Sequence, residues 1–183
     1  MKPKHTTFSL VMLAIAGCPL SSLAENYNVV INGGEVHFFG GVVNAACVVD
    51  TNSEAQTVEM GQIRTNAFSG PGTWGDPQAF TLVLKDCDTS VSQQVGVAFE
   101  GLTDQKDPEV IAVTAGAGSA QGIGIGIFDS LGNLVIPNTQ PQTFSAIQNN
   151  TTVLNFVAKY RAIAKDVLPG EADAQAWFTL TYM

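Results

Sequence analysis

From Phe80 to Tyr182 the apolar residues recur with a period of two, and no segment sustains a period of 3.6. Thr152 to Ile163 alternates most strictly, with Leu154, Phe156, Ala158 and Tyr160 on one face and Asn155, Lys159 and Arg161 on the other. Phe80 to Lys85 puts Phe80, Leu82 and Leu84 on one face, and Ala174 to Tyr182 does the same with Phe178, Leu180 and Tyr182. Val42 to Val49 is mostly apolar and reads as a buried strand. Thr57 to Ile63, Val95 to Phe99, Glu109 to Val113 and Leu134 to Ile136 read as further strands. In Ile123 to Ile127 the isoleucines share one face, and Gly124 and Gly126 on the other admit another backbone. Turn formers punctuate the pattern at Ser69-Gly-Pro-Gly72, Gly75-Asp-Pro77, Asp107-Pro108, Asp129 to Asn133, Pro137-Asn138 and Pro169-Gly170. Short strands at this spacing predict one all-β, immunoglobulin-like sandwich, with no second domain.

The start of the chain is of another kind. Lys2, Lys4 and His5 precede a short apolar run from Phe8 to Gly17, and Ser22-Leu23-Ala24 ends in small residues where a signal peptidase cuts. Residues 1–24 therefore read as a secretion signal, too short to span a bilayer as a helix. A rival cut exists at Ile15-Ala16-Gly17-Cys18, a lipoprotein-like box in which Cys18 would carry lipid.

Cleavage after Ala24 removes Lys2 and Lys4 and no acid, so a net charge of −8 becomes about −10. That excludes the basic face that nucleic acid needs. Charged residues are only 13% of the chain against a usual ~25%, so an exported protein of this kind is expected to cover much of its surface with other chains. The mature chain keeps Cys47 and Cys87, and in an oxidising compartment one disulfide is the simplest reading. Closing that loop is worth about 4 kcal/mol in the chain-entropy picture. Two free thiols are the alternative. Zinc fits less well, because His37 is the only mature histidine and no further ligand lies at zinc spacing.

One strand-like stretch lies outside the domain. Asn28-Val-Val-Ile-Asn-Gly-Gly-Glu-Val-His-Phe38 is extended in character, yet the domain proper begins near Gly41. A β-protein with a detachable leading strand can lend it to a neighbour, which is the logic of a polymer. The alternative is an ordinary first strand paired within its own domain. As a donor, one register offers Val30, Asn32, Gly34, Val36 and Phe38. The other offers Val29, Ile31, Gly33, Glu35 and His37, and burying Glu35 without a partner is costly. The first register is preferred.

Catalytic chemistry has little to stand on. Asp86 and Asp88 flank Cys87, and Asp104 and Asp107 sit near Glu109, but their spacing is not that of a calcium loop and turn acids are usually solvated. Gly116 to Gly122 lacks the following helix of a dinucleotide loop. His37 has no nucleophile to activate. Trp74 reads as a packed loop residue, with an exposed contact as the alternative. No catalytic residue, metal site, cofactor or small-molecule substrate is expected.

Several stretches carry a family resemblance. Asn32-Gly-Gly-Glu-Val-His-Phe38, Gly41-Val-Val-Asn-Ala-Ala-Cys-Val-Val-Asp50, Gly61-Gln-Ile-Arg64 and Leu84-Lys-Asp-Cys-Asp88 resemble the main subunit of type 1 fimbriae, a chaperone–usher pilin. The C-terminal third, through Phe156-Val-Ala-Lys-Tyr-Arg161 and Ala176 to Tyr182, is more similar to the minor fimbrin-like subunit made beside it. Tyr182 next to last and Gly170 fourteen from the end match two family marks.

The resemblance implies a signal over 1–24, a donor-strand extension over 25–39 and a pilin domain over 40–183. It implies an immunoglobulin-like sandwich short of one strand and completed by a donated one. A periplasmic chaperone would fill the gap first, and the next subunit's extension would replace it at the outer-membrane usher. The partners are thus chaperone, usher and other fimbrial subunits, with export through the periplasm to a fimbrium that supports cell adhesion. Gly170, Phe178, Leu180 and Tyr182 become the expected chaperone or groove contacts. A sugar-binding adhesin and an envelope lipoprotein lipidated at Cys18 are the competing readings.

Overall fold

The computed structural model describes residues 30–31, 33–40, 42 and 44–183. The expected signal with Cys18, the arm before residue 30, and Asn32, Gly41 and Val43 lie outside them. Residues up to Gly41 and residues from Val42 onward are separate units. In the first, residues 33–40 join no ladder, and Val30, Ile31, Val36, Phe38 and Phe39 are all exposed.

The body is built from nine strands, with β1 (Val48–Val49), β2 (Gln78–Cys87), β3 (Gln94–Gly101), β4 (Ile111–Ala112), β5 (Ile123–Phe128), β6 (Leu134–Val135), β7 (Phe144–Ala146), β8 (Asn150–Ala162) and β9 (Ala176–Tyr182). A four-residue helix, α1 (Thr51–Glu54), and a 3-10 turn at Thr65–Ala67 complete it. The larger sheet runs β1-β2-β8-β5-β4 with β6 also on β5, and the smaller runs β7-β3-β9. Every pairing is antiparallel. These are two layers of the expected all-β, immunoglobulin-like kind.

The alternation read in β2 and β8 is what lines the core. Leu82, Leu84, Leu154 and Phe156 from one sheet meet Val95, Val97 and Phe99 from the other, all buried. Phe156 lies stacked on Phe80 at 5.5 Å and edge-on to Phe99 at 5.3 Å, arrangements that add to simple burial. A smaller cluster of Ile123, Ile125, Ala158 and Tyr160 fills the other end. Cys47 and Cys87 are bonded to each other and buried, which excludes the free-thiol and zinc readings. Beside that bond, β2 bulges between Lys85 and Cys87, with Asp86 at φ +50.

Two expected strands fail for stated reasons. Thr57 to Ile63 joins no ladder. Gly61 turns at φ +68, so the half-buried Val58, Met60 and Ile63 lose their period of two. Among the described residues of Val42 to Val49 only Val48–Val49 forms a strand, and Val42 is fully exposed. A backbone bond from Asp88 N–H to the Ala46 carbonyl (2.8 Å) anchors the chain there. The short β7 and α1 escaped the pattern because neither is long enough to show a period. Asp50 caps α1 by accepting from Asn52 N–H at 3.0 Å and also pairs with Lys85, whose ammonium holds the carboxyl below its ordinary range.

The Asp129–Asn133 turn is organised by one buried carboxylate. Asp129 accepts from the backbone N–H of Leu131 (2.9 Å) and Asn133 (2.8 Å) and from the Thr143 hydroxyl (2.9 Å). Burial pushes its pKa up, but these donors outweigh burial and the net shift is downward. A depressed native pKa means stability that is full above the unfolded value of about 3.9 and lost as pH falls through the native one. Asp129→Asn is therefore expected to cost about 1–3 kcal/mol at pH 7 and to flatten the fall in stability below about pH 4, read by urea unfolding at both pH values. Removing the disulfide by Cys47→Ala with Cys87→Ala is expected to cost about 2–5 kcal/mol in the same assay.

Candidate functional site: the open edge of the last strand

β9 ends the smaller sheet, and among the described residues nothing pairs with its outer edge. The ladder fixes what that edge presents. Gln94 and Met183 exchange both backbone bonds at 3.0 Å. Doubly bonded pairs alternate with pairs whose backbone groups point away. Counting by two, Gly96–Thr181, Ala98–Thr179 and Glu100–Trp177 bond inward, so Ala176, Phe178, Leu180 and Tyr182 aim N–H and C=O at the open side.

Three of these residues also turn their side chains into the sandwich. Phe178, Leu180 and Tyr182 pack on the core cluster, yet each is only half-buried. Their direct opposites on β3, namely Phe99, Val97 and Val95, are buried. The same alternation on the same sheet is thus covered on one strand and uncovered on the next. The Tyr182 hydroxyl donates to the Cys47 carbonyl at 3.2 Å, which brings β9 beside the chain that leads into β1, itself the end of the larger sheet. Burial pushes the Tyr182 phenol up, so it stays a neutral donor at physiological pH. The result is an open flank of the sandwich: half-covered core residues form the floor of this cleft, and backbone unpaired among the described residues lines one side.

Gly170 does not join this cleft. It lies six residues ahead of β9, packed on the backbone of Gly118, Ser119 and Ala120. The arm residues Val30, Gly34, Val36 and Phe38 belong to the separate N-terminal unit, and His37 sits there 3.5 Å from Glu35 and stacked on Phe39.

The acids read along the chain cap turns. Asp88 accepts from Ser90 N–H at 2.8 Å, and Asp104 from Lys106 N–H at 2.7 Å. Asp107 and Glu109 flank the Arg161 guanidinium at 3.2 and 3.0 Å, the first as a charge contact without hydrogen-bond alignment. Trp74 is a packed residue. It lies edge-on to Phe128 at 4.9 Å, beneath Arg161, in the space left by Gly126. Val110 likewise fills the space over Gly124. Gly124 thus admits the Ile111 carbonyl, as expected of a close backbone, as well as the Val110 side chain, whereas Gly126 admits side chains alone. The arrangement was invisible in sequence because Trp74, Val110 and Arg161 are far apart in the chain.

The sequence profile described as "Fimbrial protein" matches residues 36–183. This chain belongs to the fimbrial protein family. It is 41% identical over 171 residues to the putative fimbrin-like protein FimI of Salmonella typhi, covering 92% of this chain and 96% of that one. It is 39% identical over 185 residues to the type-1 fimbrial protein A chain of Escherichia coli, covering 98% and 99%. Among solved structures it resembles a type I fimbria protein and antigen of Burkholderia pseudomallei, with TM-score 0.59, 32% identity, and 76% of this chain and 91% of that one covered. The P pilus rod subunit PapA shares the fold at TM-score 0.64 and 22% identity, with 76% and 100% covered. The chain is a structural fimbrial subunit of the chaperone–usher pilin kind.

In this fimbrial subunit, Tyr182→Phe removes only the bond to Cys47 and is expected to cost about 1 kcal/mol. Tyr182→Ala also strips cover from the core and is expected to cost about 2–4 kcal/mol. Urea unfolding of the two variants side by side separates the contributions.

Proposed function

We propose that this fimbrial subunit polymerises by strand donation, with the β9 edge as acceptor and the N-terminal arm as donor. One observation carries the reading. In Ala176–Tyr182, three of the four residues that aim backbone groups outward, Phe178, Leu180 and Tyr182, are those whose inward side chains are half-covered. An added strand satisfies both deficits at once, through main-chain bonds and alternate side chains. The arm supplies a matching alternation in Val30, Asn32, Gly34, Val36 and Phe38, with Glu35 and His37 kept outside. Val30, Val36 and Phe38 are exposed in the arm and gain cover in a neighbour's cleft. Phe178, Leu180 and Tyr182 are then the groove residues, held first by a periplasmic chaperone and afterwards by the next subunit at the usher. The subunit reaches the cell surface in the fimbrium and serves adhesion as part of that fibre.

The role within the fibre is proposed to be a minor one. Identities of 41% and 39% to a fimbrin-like protein and a main-type subunit do not separate the two. Support comes from the C-terminal third, which is more similar to the minor fimbrin-like subunit through Phe156 to Arg161 and Ala176 to Tyr182. Trp74 and Val110 cover the outer face of β5. The adhesin reading loses its candidate contact, because Trp74 is packed beneath Arg161.

Deleting residues 25–38 is expected to leave a subunit that still binds chaperone but no longer enters another subunit's cleft. Fibres of normal length and copy number from that deletion would refute the proposal. Leu180→Asp puts a charge in the cleft floor and is expected to abolish acceptance in a chaperone-capture assay. Immunogold counting of an epitope-tagged chain on isolated fimbriae tests the minor role.

A further inference from the structure

We propose that Gly170 is a positioning residue for strand acceptance: it pins a backbone seam that holds the approach to β9 in place before any donor arrives. This rests on the strand-acceptance reading above. The chain between β8 and β9 is not a free loop. Ile163 N–H donates to the Gly122 carbonyl (2.9 Å), and Leu168 and Gln121 exchange both backbone bonds (3.0 and 3.1 Å). Glu171 N–H donates to Gly118 O (2.9 Å), Ala120 N–H to Glu171 O (2.7 Å), and Thr114 N–H to Asp173 O (2.7 Å). Residues 163–173 are thereby stitched to 114–122.

Gly170 sits where the two backbones cross. A Cβ there would collide with Gly118 O, Ser119 C and Ala120 N, all main-chain atoms that no rotamer change can move aside. Val167, Ala172 and Ala174 press the same segment onto Ile123, Ile125, Ala158 and Tyr160, and the Tyr160 hydroxyl reaches the Ala172 carbonyl at 3.4 Å. Six residues later the chain enters β9, whose outer edge pairs with no strand among the described residues. An edge strand bonded on one side only keeps its place through β3 and through the path by which it arrives. Gly170 therefore acts through β9 and touches no incoming strand, which separates it from Phe178, Leu180 and Tyr182.

The test uses the mature chain purified with its chaperone, a synthetic peptide of residues 25–39 as the probe strand, and amide hydrogen exchange by mass spectrometry. Wild type is expected to show protected amides at Ala120, Gln121, Leu168 and Glu171 before the peptide is added. In Gly170→Ala, exchange across 116–122 and 163–173 is expected to rise at least tenfold and peptide uptake to slow at least fivefold. Tyr182→Ala is expected to slow uptake with seam exchange unchanged.

Lost uptake in Gly170→Ala with the seam still protected would make Gly170 a contact residue and overturn the proposal. A loosened seam with normal uptake, or an unprotected seam in wild type, would also overturn it. Should Gly170→Ala yield no complex, Glu171→Pro deletes a single seam donor and is read the same way. A wild-type complex that refuses the peptide would sink strand acceptance itself, and the seam proposal with it.

Discussion

The unmade hydrogen bonds along β9 govern everything else in this molecule. A sandwich normally ends its sheets on strands that are short, charged or covered. Here the smaller sheet ends on a seven-residue strand with apolar side chains facing in and backbone groups facing out. Nothing on that strand blunts it, since the inward positions Phe178, Leu180 and Tyr182 carry no charge and no proline interrupts Ala176–Tyr182. Such an edge is a liability in a monomer and an asset in a fibre. The fold is arranged to keep the edge in being and to make it specific.

Keeping it in being requires a body that holds together while one core wall is uncovered. The Cys47–Cys87 bond fastens the segment ahead of β1 to the end of β2, where the larger sheet borders the cleft. The Phe80, Phe99 and Phe156 rings lock the two sheets to each other behind the half-covered residues. On the far side, Arg161 lies over Trp74 and between Asp107 and Glu109, so two long loops are clasped to the outer face of the larger sheet. None of these devices pairs with the outer edge of β9, so each leaves it free. The weak flank is thus surrounded by strong ones.

Much of this was legible in the chain, and the exceptions have physical causes. β2 and β8 announce themselves because each is half-buried along its whole length, which is the condition under which a period of two appears. Phe178, Leu180 and Tyr182 were readable as an inward face for the same reason. Their half-covered state was legible only through the family resemblance, because exposure depends on what lies beyond β9 and no periodicity records that. Thr57 to Ile63 misled because apolar content alone mimics a strand, and only the turn at Gly61 breaks it. Gly170 was legible as a glycine that matters but not why. The seam against 114–122 brings together residues some fifty positions apart, and backbone-to-backbone crossings leave no side-chain signature. Trp74 and Arg161 met across a still longer stretch of chain, with Gly126 as the local trace.

Specificity of the edge then turns on phase. An open strand accepts any backbone, so selection has to come from side chains at alternate positions. In the proposed register Val30, Asn32, Gly34, Val36 and Phe38 face in, so the arm would bring apolar or absent side chains and one neutral amide to the cleft floor. A slip of one residue would turn Glu35 and His37 inward, onto an apolar floor where the carboxylate loses its water. Glu35 therefore excludes the wrong phase more than it favours the right one, a repulsive element of the sort that sharp recognition needs. A slip of two residues keeps Glu35 outside, so charge does not reject it. It is rejected by shape, because it would put Val36 or Asn32 where Gly34 belongs, and Gly40 or Val36 where Phe38 belongs. Charge sets the face and bulk sets the step, and the two together leave one register for the strand.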